Sequence, residues 1–130
     1  MLNILLVDDE PTIRRIMRLA LEKAGFAVTT AENGEVALAA LRLATPDVMI
    51  TDIEMPRMNG RVLCATIQKE FPDRSFPIFV VTSLTERDHR QWSSGVENLQ
   101  FLEKPISVRK LMAKLTDSLG TKTVILEGAK

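Results

Sequence analysis

The chain has 130 residues, the size of one ordinary domain and enough to bury a hydrophobic core without disulfides or a structural metal. Its 17 basic and 17 acidic residues cancel, so the sequence lacks the positive charge that direct nucleic acid binding requires. A single cysteine, Cys64, rules out an internal disulfide and a cysteine-based zinc site. The apolar start of the chain is too short for a membrane span and lacks the basic segment of an export signal, so we expect a soluble protein of the reducing cytoplasm.

The first two elements follow from a change in hydrophobic periodicity. Residues 2–7 form an uninterrupted apolar run, which predicts a buried strand. Pro11 is typical of the first turn of a helix and Gly25 of the position just past its end, which predicts a helix between them. Apolar residues at helical spacing predict its buried face: Ile13, Ile16, Met17, Ala20, Leu21 and Ala24.

The rest of the chain repeats this alternation of strand and helix. The predicted elements are strands at 26–31, 47–52, 77–82 and 99–103 and helices at about 35–44, 61–71, 85–94 and 108–119. Ser107 is expected to cap the last helix, and the third helix is expected to bury Val62, Leu63, Ile67 and Phe71. Five such units predict an α/β fold, a doubly wound five-stranded parallel sheet, in one domain of residues 1–119 with a short tail at 120–130.

Polar residues collect where the predicted strands end. The first strand ends in Asp8 and Asp9, the third in Asp52, the fourth in Thr82, and the fifth is followed by Lys104. In an open α/β sheet, ligands bind beyond the carboxyl ends of the strands, where the strand order reverses. Three carboxylates, a hydroxyl and an ammonium are therefore expected at one edge of the sheet.

Carboxylates crowded at one edge need a compensating charge. Two unit charges about 4 Å apart interact by roughly 4 kcal/mol at an effective dielectric constant near 20. Either a cation binds there or a carboxyl pKa rises. Mg²⁺ prefers a few carboxylate oxygens completed by water, and a carboxylate beside Mg²⁺ and a lysine is suited to accept a phosphoryl group.

Four motifs in this order resemble the receiver domain of bacterial two-component response regulators. They are Asp8-Asp9-Glu10-Pro11, Asp52 with Met55-Pro56 and Asn59-Gly60, Thr82-Ser83, and Lys104-Pro105. The resemblance covers about residues 2–119 and implies a flavodoxin-like (βα)5 fold with the strand order 2-1-3-4-5 of chemotaxis regulators. It also implies a phosphorylated signalling protein of a phosphorelay, not a conventional enzyme.

The resemblance assigns the acceptor and the metal ligands. It implies that Asp52 is the phosphoacceptor, that Asp9 binds Mg²⁺ directly, and that Asp8 binds it largely through water. The backbone carbonyl of Glu54 is the implied further ligand. The phosphodonor would be a sensor histidine kinase or a histidine phosphotransfer protein.

The resemblance also assigns a switch. Thr82 would hydrogen-bond the phosphoryl group, Lys104 would ion-pair with it, and Phe101 would occupy the aromatic position that turns inward when Thr82 moves. The switch would change an unknown downstream partner's affinity for the face made by the fourth helix, fifth strand and fifth helix, in a monomer or a phosphorylation-dependent dimer. Glu54 and Leu84 line the approach of water in this family, and of the two we expect Leu84 to prolong the phosphorylated lifetime.

The phosphodonor is expected to dock on a face that includes the first helix and the loop after Lys104. The residues of this partner face are Ile13, Arg14, Pro105 and Ile106. Ile106 stands where the family commonly has Phe. Pro105 is expected to fix the lysine loop through a cis bond found in the family. Gly95 lies far from Lys104, which predicts a short fourth helix and a longer loop before the fifth strand.

Other residues are expected to be structural. Cys64 is predicted to be a buried apolar residue, His89 a surface residue of the short helix, and Trp92 part of the core. Two other functions stay open at this point. One is a phosphorylation-independent adaptor with the same fold, although such proteins usually lose one of the acids, the Thr or the Lys. The other is a Mg²⁺-dependent aspartyl hydrolase, of which Asp8 to Thr12 is only faintly typical.

Overall fold

The computed structural model of the chain describes residues 1–83 and 86–119, with the backbone alone for 86 and 87. The strands are β1 (Asn3–Val7), β2 (Ala27–Ala31), β3 (Val48–Asp52), β4 (Ile78–Thr82) and β5 (Leu99–Glu103). The helices are α1 (Pro11–Lys23), α2 (Gly34–Leu43), α3 (Gly60–Glu70), α4 (Glu86–Ser93) and α5 (Val108–Leu119). The predicted alternation is confirmed, and α4 is short, with 8 residues. The predicted tail lies outside the described residues.

All five strands pair in parallel in the order β2-β1-β3-β4-β5, which confirms the predicted fold and strand order. The pairing Val7↔Thr51 sets the end of β1 beside the end of β3. Asp52 pairs with Val81, one residue before the end of β4. The register therefore places the carboxyl ends of the three central strands side by side, and strand order reverses between β1 and β3.

Two cores lie on the two faces of the sheet. Side chains alternate between faces along a strand, so Leu5 and Val7 belong to one core and Ile4 and Leu6 to the other. The first core packs against α2 and α3 through Leu38, Leu41, Leu63, Cys64 and Ile67, and Trp92 and Phe101 border it. The second packs against α1 and α5 through Met17, Leu21, Leu111 and Leu115. Each buried aliphatic side chain contributes roughly 1.5–3 kcal/mol over its exposed state.

Three polar side chains cap the N-termini of α2, α3 and α5. Asn33 Oδ1 accepts a hydrogen bond from the Val36 amide at 2.9 Å, and Asn59 Oδ1 accepts one from the Val62 amide at 3.0 Å. The Ser107 hydroxyl accepts from the Lys110 amide at 3.1 Å, as predicted. Caps of this kind contribute about 0.5–2 kcal/mol each, and they fix where the chain turns away from the sheet edge.

Three predicted core residues are exposed. Ile13 is 41% exposed and Ile16 is 54% exposed, because both side chains border an open groove and do not join the core that Met17 and Leu21 enter. Only Met17 and Leu21 of α1 are fully buried. Val62 is 49% exposed, since it sits in the first turn of α3 and points away from the core that Leu63 enters. Among the helices of residues 1–83 and 86–119, none combines the length and the apolar character that crossing a bilayer requires.

Candidate functional site

Three carboxylates converge at the carboxyl edge of the sheet, as predicted. Asp8 and Asp9 follow β1, and Asp52 ends β3. Each offers one oxygen, and these oxygens lie within 4.8 Å of one another. Such a group of hard oxygen donors, with two of the three carboxylates partly open to water, fits Mg²⁺, which keeps several waters in its octahedron.

Asp8 is fixed by its neighbours in the turn that leads into α1. Its Oδ1 accepts a hydrogen bond from the Glu10 amide at 2.9 Å, and its carbonyl accepts one from Arg14 Nη1 at 2.7 Å. Burial, and then repulsion from Asp52 and Asp9, raises the pKa of the Asp8 carboxyl above its usual range. The Glu10 amide and Lys104 oppose that rise. Burial is thus the main cause of the rise, and the crowding of the three acids adds to it.

Asp52 is the most deeply placed acid of the three, with 8% of its surface exposed. Its Oδ1 accepts a hydrogen bond from the Ile53 amide at 2.8 Å and lies 3.0 Å from Nζ of Lys104. The Lys104 amide donates to the Thr82 carbonyl at 2.7 Å, and the Lys104–Pro105 bond is cis, as predicted. The end of β4 therefore anchors the loop that brings the ammonium to the carboxylate.

Gly60 lies against the backbone of Asp52 and Ile53, a role that the sequence analysis did not assign to it. Its amide donates to the Ile53 carbonyl at 2.7 Å. A Cβ at this position would lie 2.9 Å from Ile53 Cα and closer still to the Asp52 carbonyl oxygen. Only glycine lets the start of α3 approach the end of β3 this closely.

His89 is buried, so its predicted surface position is wrong. It is 3% exposed, and its Nε2 lies 2.8 Å from Oγ1 of Thr82, which is itself 4% exposed. The helix α4 has few apolar side chains to pack against the sheet, so the His89 imidazole packs there together with Trp92. The spacing of His89 and Trp92, i and i+3, was the available signal, because it puts both rings on one helix face.

Phe101 completes an aromatic cluster with these two residues. Its ring stacks on the His89 ring with centroids 4.9 Å apart and an interplanar angle of 12°. Trp92 contacts both rings edge-on, at 5.7 Å from His89 and 5.8 Å from Phe101. Trp92 is partly buried, as predicted. The predicted switch position is thus joined to the predicted phosphoryl-contacting Thr82 through a histidine.

Two cavities open beside Asp52. A groove of about 600 Å³ is bordered by α1 on one side and by Lys104 and the loop after it on the other, and Ile13, Ile16, Pro105 and Ile106 line it. Arg14 of the predicted partner face is half-buried, donates to the Asp8 carbonyl and lines a separate cavity with Arg15 and Arg18. A second cavity of about 190 Å³ lies between α3 and α4, lined by Asp52, Glu54, Arg61, Thr82, Asp88, His89 and Lys104. The Glu54 side chain is exposed at its mouth, whereas Leu84 lies outside the described residues.

The sequence matches the family model of the response regulator receiver domain over residues 4–116. Among curated relatives, a probable transcriptional regulator ycf27 of Pyropia yezoensis is 35% identical over 117 residues, which cover 90% of this chain and 47% of that protein. The chain thus spans about half the length of several curated relatives that it matches.

Solved structures show the same similarity over nearly whole chains. The chemotaxis protein CheY4 of Vibrio cholerae is 31% identical with a TM-score of 0.83, covering 91% of this chain and 98% of its own. The response regulator TrrA of Thermotoga maritima, solved in complex with Mg²⁺ and BeF, is 31% identical with a TM-score of 0.79, covering 91% and 99%. With its 2-1-3-4-5 sheet and the acidic edge of that sheet, the chain belongs to the response regulator receiver domain family.

Proposed function

We propose that this chain is a phosphorylation-controlled switch in which Asp52 accepts a phosphoryl group from a phosphohistidine. The observation that carries the proposal is the position of Asp52, with Lys104 3.0 Å away and two further acids within 4.8 Å. A buried carboxylate beside a cation and a set of metal-binding oxygens is a nucleophile in a site that stabilises phosphoryl charge. The role is that of a phosphoacceptor, not of an enzyme with a separate substrate.

Mg²⁺ is the cofactor that the donor set supports. The carboxylates of Asp8, Asp9 and Asp52 would hold it, together with the backbone carbonyl of Glu54. Bound there, it would neutralise negative charge on the phosphoryl oxygens during transfer.

Three residues of the chain have separate roles in the phosphoryl transfer. An Asp52 oxygen attacks phosphorus while the bond to the donor imidazole nitrogen breaks, and the electron pair stays on that imidazole. Lys104 compensates the charge on the phosphoryl oxygens, because its ammonium is held beside the acceptor carboxylate. The Thr82 hydroxyl contributes a hydrogen bond to one phosphoryl oxygen.

The groove beside the acceptor suits the phosphodonor. Its exposed aliphatic residues, Ile13 and Ile16, border the same space as Asp52 and Lys104. A helix of a histidine kinase or phosphotransfer protein that carries its phosphohistidine could bury apolar side chains there. The cytoplasm, where such kinases act, is the corresponding location. Downstream, the phosphorylated chain would change its affinity for a target protein at the face of α4, β5 and α5.

The test is phosphorylation by a small donor. The chain is incubated with acetyl phosphate and Mg²⁺, and the product is analysed by intact mass and by mapping of the label. We expect one phosphoryl group on Asp52 of the wild type and none on Asp52→Asn. The control is Asp73→Asn, which changes an exposed acid that follows α3 and should be labelled normally. Label on Asp8 or His89, or label that persists in Asp52→Asn, contradicts the proposal.

A further inference from the structure

A hydrogen-bonded row of three side chains leads from the surface of α4 to the acceptor cavity. The indole Nε1 of Trp92 donates to Nδ1 of His89 at 3.0 Å. The other ring nitrogen, Nε2, lies 2.8 Å from Oγ1 of Thr82. His89 and Thr82 both line the 190 Å³ cavity that also contains Asp52.

The direction of these hydrogen bonds follows from the chemistry of the indole. An indole N–H is a donor only, so Nδ1 of His89 must be an unprotonated acceptor. In a neutral imidazole the proton is then on Nε2, which donates to the Thr82 oxygen. Oγ1 of Thr82 therefore accepts a hydrogen bond from His89 on α4. The proton of the Thr82 hydroxyl must then point to a different hydrogen-bond acceptor.

The imidazole is held neutral and in place by its surroundings. Burial, and then the positive charge of Arg61 on α3, lowers the pKa of His89 below its ordinary value, while Asp88 on α4 opposes this. Lys104 borders the same cavity and is also positive. The ring is stacked on Phe101, with an interplanar angle of 12°, and is therefore fixed in orientation as well as in tautomer.

We propose that His89 is a positioning residue for the phosphoryl site: by donating to Thr82 Oγ1, it commits the Thr82 hydroxyl proton to a phosphoryl oxygen on Asp52. The proposal rests on the proposed function. It also gives the route by which a change at the acceptor reaches α4, because any shift of Thr82 changes its hydrogen bond to His89, and through that ring the contacts of Trp92 and Phe101. Side-chain hydrogen bonds in a row of this kind strengthen one another.

The tautomer can be measured in the unmodified protein. His89 is the one histidine and Trp92 the one tryptophan of the sequence, so each gives a single set of side-chain signals. We expect ¹⁵N NMR at neutral pH to show a neutral imidazole with its proton on Nε2 and a hydrogen-bonded indole N–H. An Nδ1–H tautomer, or an imidazolium at neutral pH, overturns the proposal.

The positioning role is tested with beryllium fluoride and Mg²⁺ as the phosphoryl mimic. Its affinity is measured by titration calorimetry for the wild type, His89→Phe, Thr82→Val and the double variant. Phe keeps the aromatic volume and stacking but removes both hydrogen bonds. We expect His89→Phe to weaken binding about three- to tenfold when Thr82 is present and to have no further effect in Thr82→Val, the pattern of a direct coupling.

A conservative variant separates positioning from structure. His89→Gln keeps an N–H donor for Thr82, so we expect it to restore most of the affinity that His89→Phe loses. Equal losses with and without the Thr82 hydroxyl indicate a merely structural residue and overturn the proposal. Tighter binding of beryllium fluoride by His89→Phe also overturns the proposal, since the histidine would then keep the Thr82 hydroxyl from bonding the phosphoryl mimic. Failure of the wild type to bind the mimic contradicts the proposed function itself and is therefore distinguishable from both of these outcomes.

Discussion

The ammonium of Lys104 lies 3.0 Å from Oδ1 of Asp52, so the carboxylate that we propose as the phosphoacceptor is already paired with a cation. The Lys104 side chain is 42% exposed and the Asp52 side chain 10%. The pair is therefore open to solvent on the Lys104 side, so the proposed phosphorylation would not require a fully buried ion pair to separate. It also means that a metal ion at the three acids must share Asp52 with a positive neighbour.

Replacing Lys104 with Met is expected to tighten Mg²⁺ binding while slowing phosphorylation. Loss of one positive charge removes its repulsion of a divalent cation a few ångströms away, which favours Mg²⁺ by about three- to tenfold in a solvent-exposed site. Transfer slows because the phosphoryl oxygens lose their ion-pair partner. Calorimetry and the rate of labelling by acetyl phosphate measure the two effects. Lys69→Met, at the far end of α3, is the control, and weaker Mg²⁺ binding by Lys104→Met would contradict this account.

Mg²⁺ is expected to raise the melting temperature of the wild type and to have little effect on Asp9→Ala. Binding to the folded state alone adds about 1.4 kcal/mol at a tenfold excess over the Kd. Without Mg²⁺, Asp9→Ala is expected to melt slightly higher than the wild type, because one of three mutually repelling acids is gone. Thermal denaturation with and without the metal measures both. A wild-type melting temperature that is indifferent to Mg²⁺ would argue against the metal site.

Gly60→Ala is expected to destabilise the fold by about 1–3 kcal/mol and to reduce labelling of Asp52. The added Cβ has no room between Ile53 Cα and the Asp52 carbonyl, so the end of β3 must shift. Gly95→Ala is the matched control, since a Cβ there meets nothing within 4 Å. Urea denaturation measures the loss of stability, and the rate of labelling by acetyl phosphate measures the effect on Asp52. Equal behaviour of the two variants would show that the close approach at Gly60 has no consequence.

Ile16→Lys is expected to slow phosphotransfer from a phosphohistidine protein while leaving labelling by acetyl phosphate unchanged. The side chain is 54% exposed and lines the groove beside Asp52, so a charge there opposes apolar docking without touching the acceptor. Leu19→Lys changes an equally exposed residue of α1, 51% exposed, that does not line the groove. If Ile16→Lys slowed labelling by acetyl phosphate as much as phosphotransfer from the protein donor, the effect would lie in the phosphorylation step and not in docking. If Leu19→Lys slowed phosphotransfer as much as Ile16→Lys, the effect would come from any charge added to α1 and not from the groove.

The stability of the chain is expected to fall as pH drops below about 6.5 by an amount that depends on His89. Burial lowers the pKa of the folded imidazole, so below the ordinary value the unfolded chain binds more protons than the folded one. The contribution of His89 to the free energy of unfolding is fully present above about pH 6.5 and is lost as the pH falls from there through the pKa of the folded imidazole. Urea denaturation at several pH values measures the slope. His89→Phe should show a shallower slope than the wild type, and identical slopes would contradict the prediction.

Most of the candidate site could be predicted, because its residues stand at the ends of strands. Asp8, Asp9 and Asp52 each follow an apolar run, and parallel strands bring their carboxyl ends to one edge whatever the details of packing. Lys104 follows the same rule at the end of β5, two strands beyond β3 in the sheet. The strand periodicity that locates these residues is local, so it can be found without knowing which helix packs where.

The sequence by itself therefore determined the five β-α units, the family resemblance and the group of acids with its lysine. Only the tertiary structure decided which faces the helices bury, as the exposure of Ile13 and the burial of His89 show. It also decided that Gly60 lies against the Asp52 backbone, and that His89 joins Thr82 to Phe101. These contacts join residues of different elements, and the space between packed elements depends on every side chain that fills it, whereas a hydrophobic repeat depends only on its own strand or helix.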